Sequence, residues 1–122
     1  MPKVVFDSSF LMAVVRRPTT WHGDLTEELG RIEPVALECV LAEMERLSAG
    51  QGRRAKDALL AKRLAAGFQV VGCGGGSVDD EILSYARSSG AVVATLDREL
   101  IRSLRLLGVR VATLRRNRAT LH

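Results

Sequence analysis

Short apolar runs alternate with longer amphipathic stretches from one end of the chain to the other. Val4-Val5-Phe6, entered through Lys3, is wholly apolar, the pattern of a strand that a parallel sheet buries on both faces. Residues 34–37 and 91–94 have the same character, and 68–71 and 109–114 share it apart from Gln69, Arg110 and Thr113. Between these runs the period lengthens to that of a helix. Ser8 and Ser9 offer an N-cap before the apolar stretch 10–15, which Arg16-Arg17-Pro18 stops. Further helices are expected over Trp21–Leu29, closed by Gly30, over Glu38–Ser48, and over the alanine-rich stretch 53–66. Ser77 caps another helix that runs to about Ser89 and ends at Gly90, and the last covers 97–107 before Gly108. Gly50-Gln51-Gly52 reads as a turn and residues 72–76 as a flexible glycine loop. This alternation predicts an α/β fold, a three-layer α/β/α sandwich around a parallel sheet of four or five strands. With neither repeat nor linker, residues 1–122 are expected to form a single domain with a short basic tail at about 115–122.

Four acids interrupt the pattern where a solubilising charge would not go. Asp7 follows the first strand directly and Asp97 follows the fourth by two residues, so both fall at the carboxyl edge of the sheet, where open α/β folds bind ligands. Glu43 and Asp79 lie on helices. At about 100° per residue, Cys39, Val40 and Leu47 fall within about 60° of Glu43, whereas Glu38 and Glu45 point away. Asp79 shares its face with Ile82, Leu83 and Ala86, while Asp80 is marginal and Glu81 points outward. Asp97 lines up in the same way with Leu100, Ile101 and Leu104. A structural account is available for each acid singly: Asp79 and Asp97 head helices, where the dipole favours carboxylates, and Asp7 can cap a strand end. Together at one edge, four carboxylates with no buried lysine or arginine beside them would repel one another unless a cation met them.

Hard oxygen donors of this kind suit Mg²⁺ or Mn²⁺, which keep coordination positions for water and phosphate. Neither His22 nor His122 has a partner at zinc-ligand spacing, and no Ser-His-Asp or Cys-His set is present. Asp7, Glu43, Asp79 and Asp97 are therefore the candidate metal ligands and catalytic residues, with Ser9, Thr95 and Asp80 accessory to them. For Ser9, helix capping is an equally good account.

Charge points to a type of partner only through its distribution. Residues 98–122 carry seven arginines against the single acid Glu99, a net of +6, whereas the first 97 residues net −2 within a total of +4. A basic quarter beside an acidic remainder points to a polyanion across one end of the molecule, with Arg98, Arg102, Arg115 and Arg116 as its contacts. One Trp and one Tyr leave base stacking without an evident platform. The first strand begins at Lys3, no run reaches the roughly 18 apolar residues of a membrane span, and Cys39 and Cys73 lack metal-ligand spacing. A cytoplasmic protein without a secretory leader, with both cysteines reduced in the core, is expected.

These segments resemble the PIN-domain nuclease family. Val-Val-Phe-Asp7-Ser-Ser-Phe-Leu resembles its first motif, Glu38-Cys-Val-Leu-Ala-Glu43-Met-Glu-Arg-Leu47 its second. Val78-Asp79-Asp80-Glu-Ile-Leu-Ser-Tyr-Ala86 and Val93-Ala-Thr95-Leu-Asp97-Arg-Glu-Leu100 resemble the third and fourth. The resemblance implies Mg²⁺- or Mn²⁺-dependent endonucleolytic cleavage of RNA, with water as nucleophile and the four acids as the metal site. Where Ser9 stands, the family often has asparagine. Within the family the motifs look most similar to the small-subunit processome nuclease of ribosomal RNA maturation and its archaeal relatives. That branch implies a ribosome-assembly factor as partner. The neighbouring VapC-type toxins imply an antitoxin, and a non-catalytic RNA-binding scaffold is the third reading. Apolar helix faces and the resemblance together imply a homodimer. A haloacid-dehalogenase-like phosphatase would need an aspartate at position 9, and the 72–77 segment matches neither a dinucleotide fingerprint nor a P-loop.

Overall fold

The computed structural model describes all residues, Met1–His122. Its elements follow in the order β1 (Lys3–Phe6), α1 (Ser8–Arg16), α2 (Trp21–Leu29), β2 (Glu33–Leu37), α3 (Glu38–Ser48) and α4 (Arg53–Leu64). After a short 3₁₀ turn, Ala65–Gly67, come β3 (Gln69–Val71), α5 (Val78–Ser89), β4 (Val92–Ala94), α6 (Arg98–Leu106), β5 (Val111–Arg115) and β6 (Arg118–Leu121). They build one six-stranded sheet in the order β3-β2-β1-β4-β5-β6.

The first five strands are parallel, and their buried residues (Val4, Val5, Phe6, Val35, Ala36, Val93, Ala94, Val111 and Ala112 among them) form the centre of the core. From β1 the chain winds to β2 and β3, then returns to the other side of β1 for β4 and β5. Right-handed crossovers then set α1–α4 on one face and α5–α6 on the other, the three-layer architecture expected from the alternation. The packing agrees: α1, α3 and α4 pack together, α5 lies against β1 and β4, and α6 against β5. The winding reverses between β1 and β4, which makes the carboxyl ends of these two strands the topological switch point.

Residues 115–122 are not a basic tail. Arg118–Leu121 forms β6, antiparallel to β5, so the sheet is mixed and has six strands. The two strands turn through Arg116 and Asn117, at φ +52° and +63°, the left-handed pair of a type I′ hairpin. Nothing in Arg-Asn marks such a turn as Asn-Gly would. Tertiary contacts hold it: buried Asp24 of α2 accepts from the Ala119 N–H (2.9 Å), from the Thr20 hydroxyl (2.7 Å) and from the Arg118 guanidinium (3.4 Å). Thr20 N–H also donates to the Asn117 carbonyl at 3.2 Å.

The cysteines also differ from expectation. Because β3 lies beside β2, Cys73 after β3 meets Cys39 at the start of α3, with Cα atoms 6.2 Å apart, and the two form a disulfide. Phe6 packs its ring against Phe10, Trp21 and Phe68, with centroids 5.5, 5.3 and 5.2 Å away. All three phenylalanines and the one tryptophan thus share one cluster, with Phe6 and Phe10 buried and Trp21 and Phe68 partly buried against them. No helix is long and apolar enough to cross a membrane.

Candidate active site

The site assembles at the switch point, from Asp7 outward. Asp7 ends β1, and its backbone N–H donates to the Ala94 carbonyl at 2.9 Å, which fixes it beside the end of β4. It is the N-cap residue of α1, yet its carboxylate makes no capping bond. Instead Oδ2 accepts from the hydroxyls of Ser9 (2.7 Å) and Thr95 (2.8 Å), which lie 3.2 Å from each other. Asp7 is 6 % exposed and Thr95 fully buried, so hydroxyls replace the water that this carboxylate has lost. Ser9 Oγ further accepts from Leu96 N–H at 3.0 Å and Thr95 Oγ1 from Asp97 N–H at 3.1 Å. Both accessory residues therefore act through Asp7 and through the turn that carries Asp97.

Asp97 is not a helical residue with an inward face. It is the N-cap of α6, and its Oδ1 accepts from Glu99 N–H (2.9 Å) and Leu100 N–H (3.2 Å). Glu43 lies one turn into α3, half-buried, and its Oε1 accepts from the Ser8 hydroxyl at 2.6 Å. In all three carboxylates one oxygen is held by protein donors while Asp7 Oδ1, Asp97 Oδ2 and Glu43 Oε2 have no protein partner.

Asp79, in the first turn of α5, is the fourth acid. As a residue it is exposed, but protein mass beside its carboxyl displaces part of its water. That dehydration comes first, followed by repulsion from Asp97, Asp7, Glu43 and Asp80, and together they raise its pKa above the ordinary 3.8. Repulsion of this kind means that carboxylates from four separate segments lie within Coulombic range of one another. Asp80 stands exposed, its own N–H donating to the capping Ser77 hydroxyl at 3.2 Å, and is the weakest of these influences. The expectation of four buried acids holds for Asp7 alone; Glu43 is half-buried, and Asp79 and Asp97 are open to solvent. No three of these side chains converge tightly enough to grip one ion as they stand.

The glycine loop before Asp79 is tied down. Glu81 Oε1 accepts from the N–H groups of Gly74 and Gly76, the latter at 3.2 Å, so Glu81 does not simply face outward. A Cβ on Gly74 would sit 3.3 Å from that oxygen, and Gly75 has φ +93°, so the loop needs its glycines for close approach and for its turn. Arg98 and Arg102 lie along α6, and Arg115 and Arg116 at the hairpin tip, beyond the Ala94–Ala112 register. All four are exposed and none is in an ion pair. Ser8 and Glu81 are the contributors that periodicity missed. Only adjacency to Asp7 pointed to Ser8, and nothing local pointed to Glu81.

The family described as PIN like domain matches residues 4–117. Among solved structures, the PIN domain endonuclease Utp24 superposes with a TM-score of 0.80 at 24% identity, over 98% of this chain and 90% of the other. A domain of a functionally unknown protein from Methanocaldococcus jannaschii gives 0.63 at 17% identity, over 94% and 92% of the two chains. PAE2754 from Pyrobaculum aerophilum gives 0.54 at 19%, over 83% and 78%. No curated protein matches the sequence.

Proposed function

Because this chain belongs to the PIN-like domain family, we propose that it is a metal-dependent endoribonuclease. The observation that carries the reading is that Asp7, Glu43 and Asp97 each have one carboxylate oxygen held by protein donors and the other without a protein partner, near enough to Asp79 to help raise its pKa. A stable fold has no use for four carboxylates that oppose one another; a divalent cation turns the same repulsion into affinity. The donors are hard oxygens throughout, which fits Mg²⁺ or Mn²⁺.

Asp7, Glu43, Asp79 and Asp97 would hold the cation. Ser9 and Thr95 keep Asp7 Oδ2 occupied and direct Oδ1 to the ligand, Ser8 does the same for Glu43, and the α6 N-terminus for Asp97. Held there, a divalent cation would supply the activation of water and the charge stabilisation that phosphodiester hydrolysis needs. The exposed Arg98, Arg102, Arg115 and Arg116 hold backbone phosphates on the β4–β5 side without reading bases. With four of the five aromatics packed on one another around Phe6, stacking contributes little.

Ribosomal RNA maturation in the cytoplasm, by a homodimer working with an assembly factor, is the setting that the sequence motifs favour. A VapC-type toxin is the competing role and would require an antitoxin. The test is cleavage of a structured RNA with Mn²⁺ or Mg²⁺ by the wild type, Asp7→Asn and Asp97→Asn. Metal-dependent cutting lost in both folded variants supports the nuclease. RNA binding without cutting, and without metal binding by calorimetry, leaves the scaffold reading in its place.

A further inference from the structure

A second basic surface begins at Ser9, on the flank of the site away from the C-terminal arginines. Between α1 and α4 runs a groove lined by Ser9, Met12, Arg16, Arg53, Arg54 and Asp57. It continues into a neighbouring hollow at the turn 50–52 that shares Arg16, Arg53 and Asp57 and adds Lys56. Of these charges, only Arg16 and Asp57 face each other, at 3.9 Å. Arg53, Arg54 and Lys56 are exposed and make no ion pair.

Their position is a poor choice for stability. Arg53 and Arg54 open α4, whose first turn contains no acid, so two guanidiniums crowd the positive end of the helix dipole. Gly52 caps that helix without a side-chain acceptor. The concentration of positive charge is useful only to an anion. The groove also ends one hydrogen bond from the centre of the site, since the Ser9 that lines it donates to Asp7 at 2.7 Å.

We propose that the α1–α4 groove carries the phosphodiester backbone of the RNA on the Ser9 side of the acids, with Arg53 and Arg54 as its phosphate contacts. The strand would then cross the carboxyl edge of the sheet, held by α4 on one flank and by α6 and the hairpin on the other. This rests on the nuclease reading above, and the experiment separates the two. Binding of a labelled single-stranded RNA to Asp7→Asn protein is measured by anisotropy across salt concentrations, with and without R53E/R54E or R53K/R54K. Cleavage is followed in parallel in the same pairs built on the wild type.

The charge reversal is expected to weaken binding at least tenfold and to raise KM far more than it lowers kcat. It should also flatten the dependence of log affinity on log salt by about 0.7 for each lost contact. R53K/R54K should bind nearly as wild type. Acids at the start of α4 suit the dipole but stand one turn before Asp57, so R53Q/R54Q, which removes charge without adding any, is melted and titrated beside R53E/R54E to separate lost contact from lost fold. Unchanged affinity and salt slope in R53E/R54E, in a protein that still cuts RNA, would overturn the groove and leave the nuclease standing. A wild type that neither binds nor cuts RNA would overturn both.

Discussion

The hydroxyl of Thr95 donates to Asp7 Oδ2 at 2.8 Å across 88 positions of sequence, and the same oxygen of Thr95 accepts the backbone N–H of Asp97 at 3.1 Å. One buried side chain thus aligns two acids that come from different crossovers of the sheet. Thr95→Val keeps the shape and removes both bonds, leaving the Asp97 N–H without its acceptor. Loss of about 1.5–3 kcal/mol of stability is expected from the lost hydrogen bond to the buried, charged Asp7. Cleavage or metal affinity should fall by about 10–100-fold, the usual consequence of freeing a ligand from its support. Asp7→Asn, by contrast, should abolish cleavage. Metal-titrated kinetics on both variants, with circular dichroism for the fold, decide this.

Ser8→Ala tests a contact that no periodicity revealed. The Ser8 hydroxyl holds Glu43 Oε1 at 2.6 Å, so its removal frees the glutamate to rotate. Activity about tenfold lower, recovered in part at high Mn²⁺, is expected if Ser8 orients a ligand. Equal losses at all metal concentrations would assign Ser8 to the start of α1 alone.

Asp79 gives the site a signature in pH. Its pKa is raised in the folded protein, so the native state binds a proton more readily than the unfolded chain does. Without metal, its penalty is present in full at neutral pH and is relieved as pH falls through the raised pKa toward 3.8. Asp79→Asn should therefore melt at or above the wild type at pH 7 when no metal is added. Mn²⁺ should reverse the order, because the wild type gains about 2.7 kcal/mol at a hundredfold excess over its dissociation constant and the variant gains less. Metal stabilisation should also shrink as pH drops and protons compete for Asp79. Calorimetry at two pH values, with and without Mn²⁺, reads all three effects.

Asp24 runs the opposite way. Thr20 and the Ala119 N–H, then Arg118, favour its ionised form and lower its pKa below 3.8. Its contribution is thus present above the unfolded value and is lost as pH falls through the lowered one. Asp24→Asn should melt below the wild type at pH 7, and the gap should close in strong acid. Slow amide exchange at Ala119 in the wild type, but not in the variant, would locate the loss at β6. A gap independent of pH would mean that packing, and not charge, holds the hairpin.

Most of the framework is written locally. Lys3–Phe6, Trp21–Leu29 and Glu38–Ser48 have the bounds that periodicity and their stop residues imply, since apolar spacing and caps act over a few residues. The central strands β1 and β4 are legible for the same reason: burial on both faces leaves unbroken apolar runs such as Val4–Phe6 and Val92–Ala94. β6 is not. Arg-Ala-Thr-Leu is short and begins with a charge, and its turn uses Arg116 and Asn117, so its pairing depends on Asp24 in a distant helix.

The candidate site divides along the same line. Residue type and spacing determined which carboxylates could meet: a strand-end aspartate, a glutamate on the apolar side of a helix, and acids in the loops and first turns that follow the strands. Ser9 and the α6 amides tether Asp7 and Asp97 from within two or three residues, but the tethers from Ser8 to Glu43 and from Thr95 to Asp7 span 35 and 88 positions and were decided only by tertiary structure. The disulfide between Cys39 and Cys73 was decided there too, by β3 adding beside β2. Local sequence encodes propensity and polarity over a turn or a strand, whereas the distance between two side chains depends on how every intervening element packs.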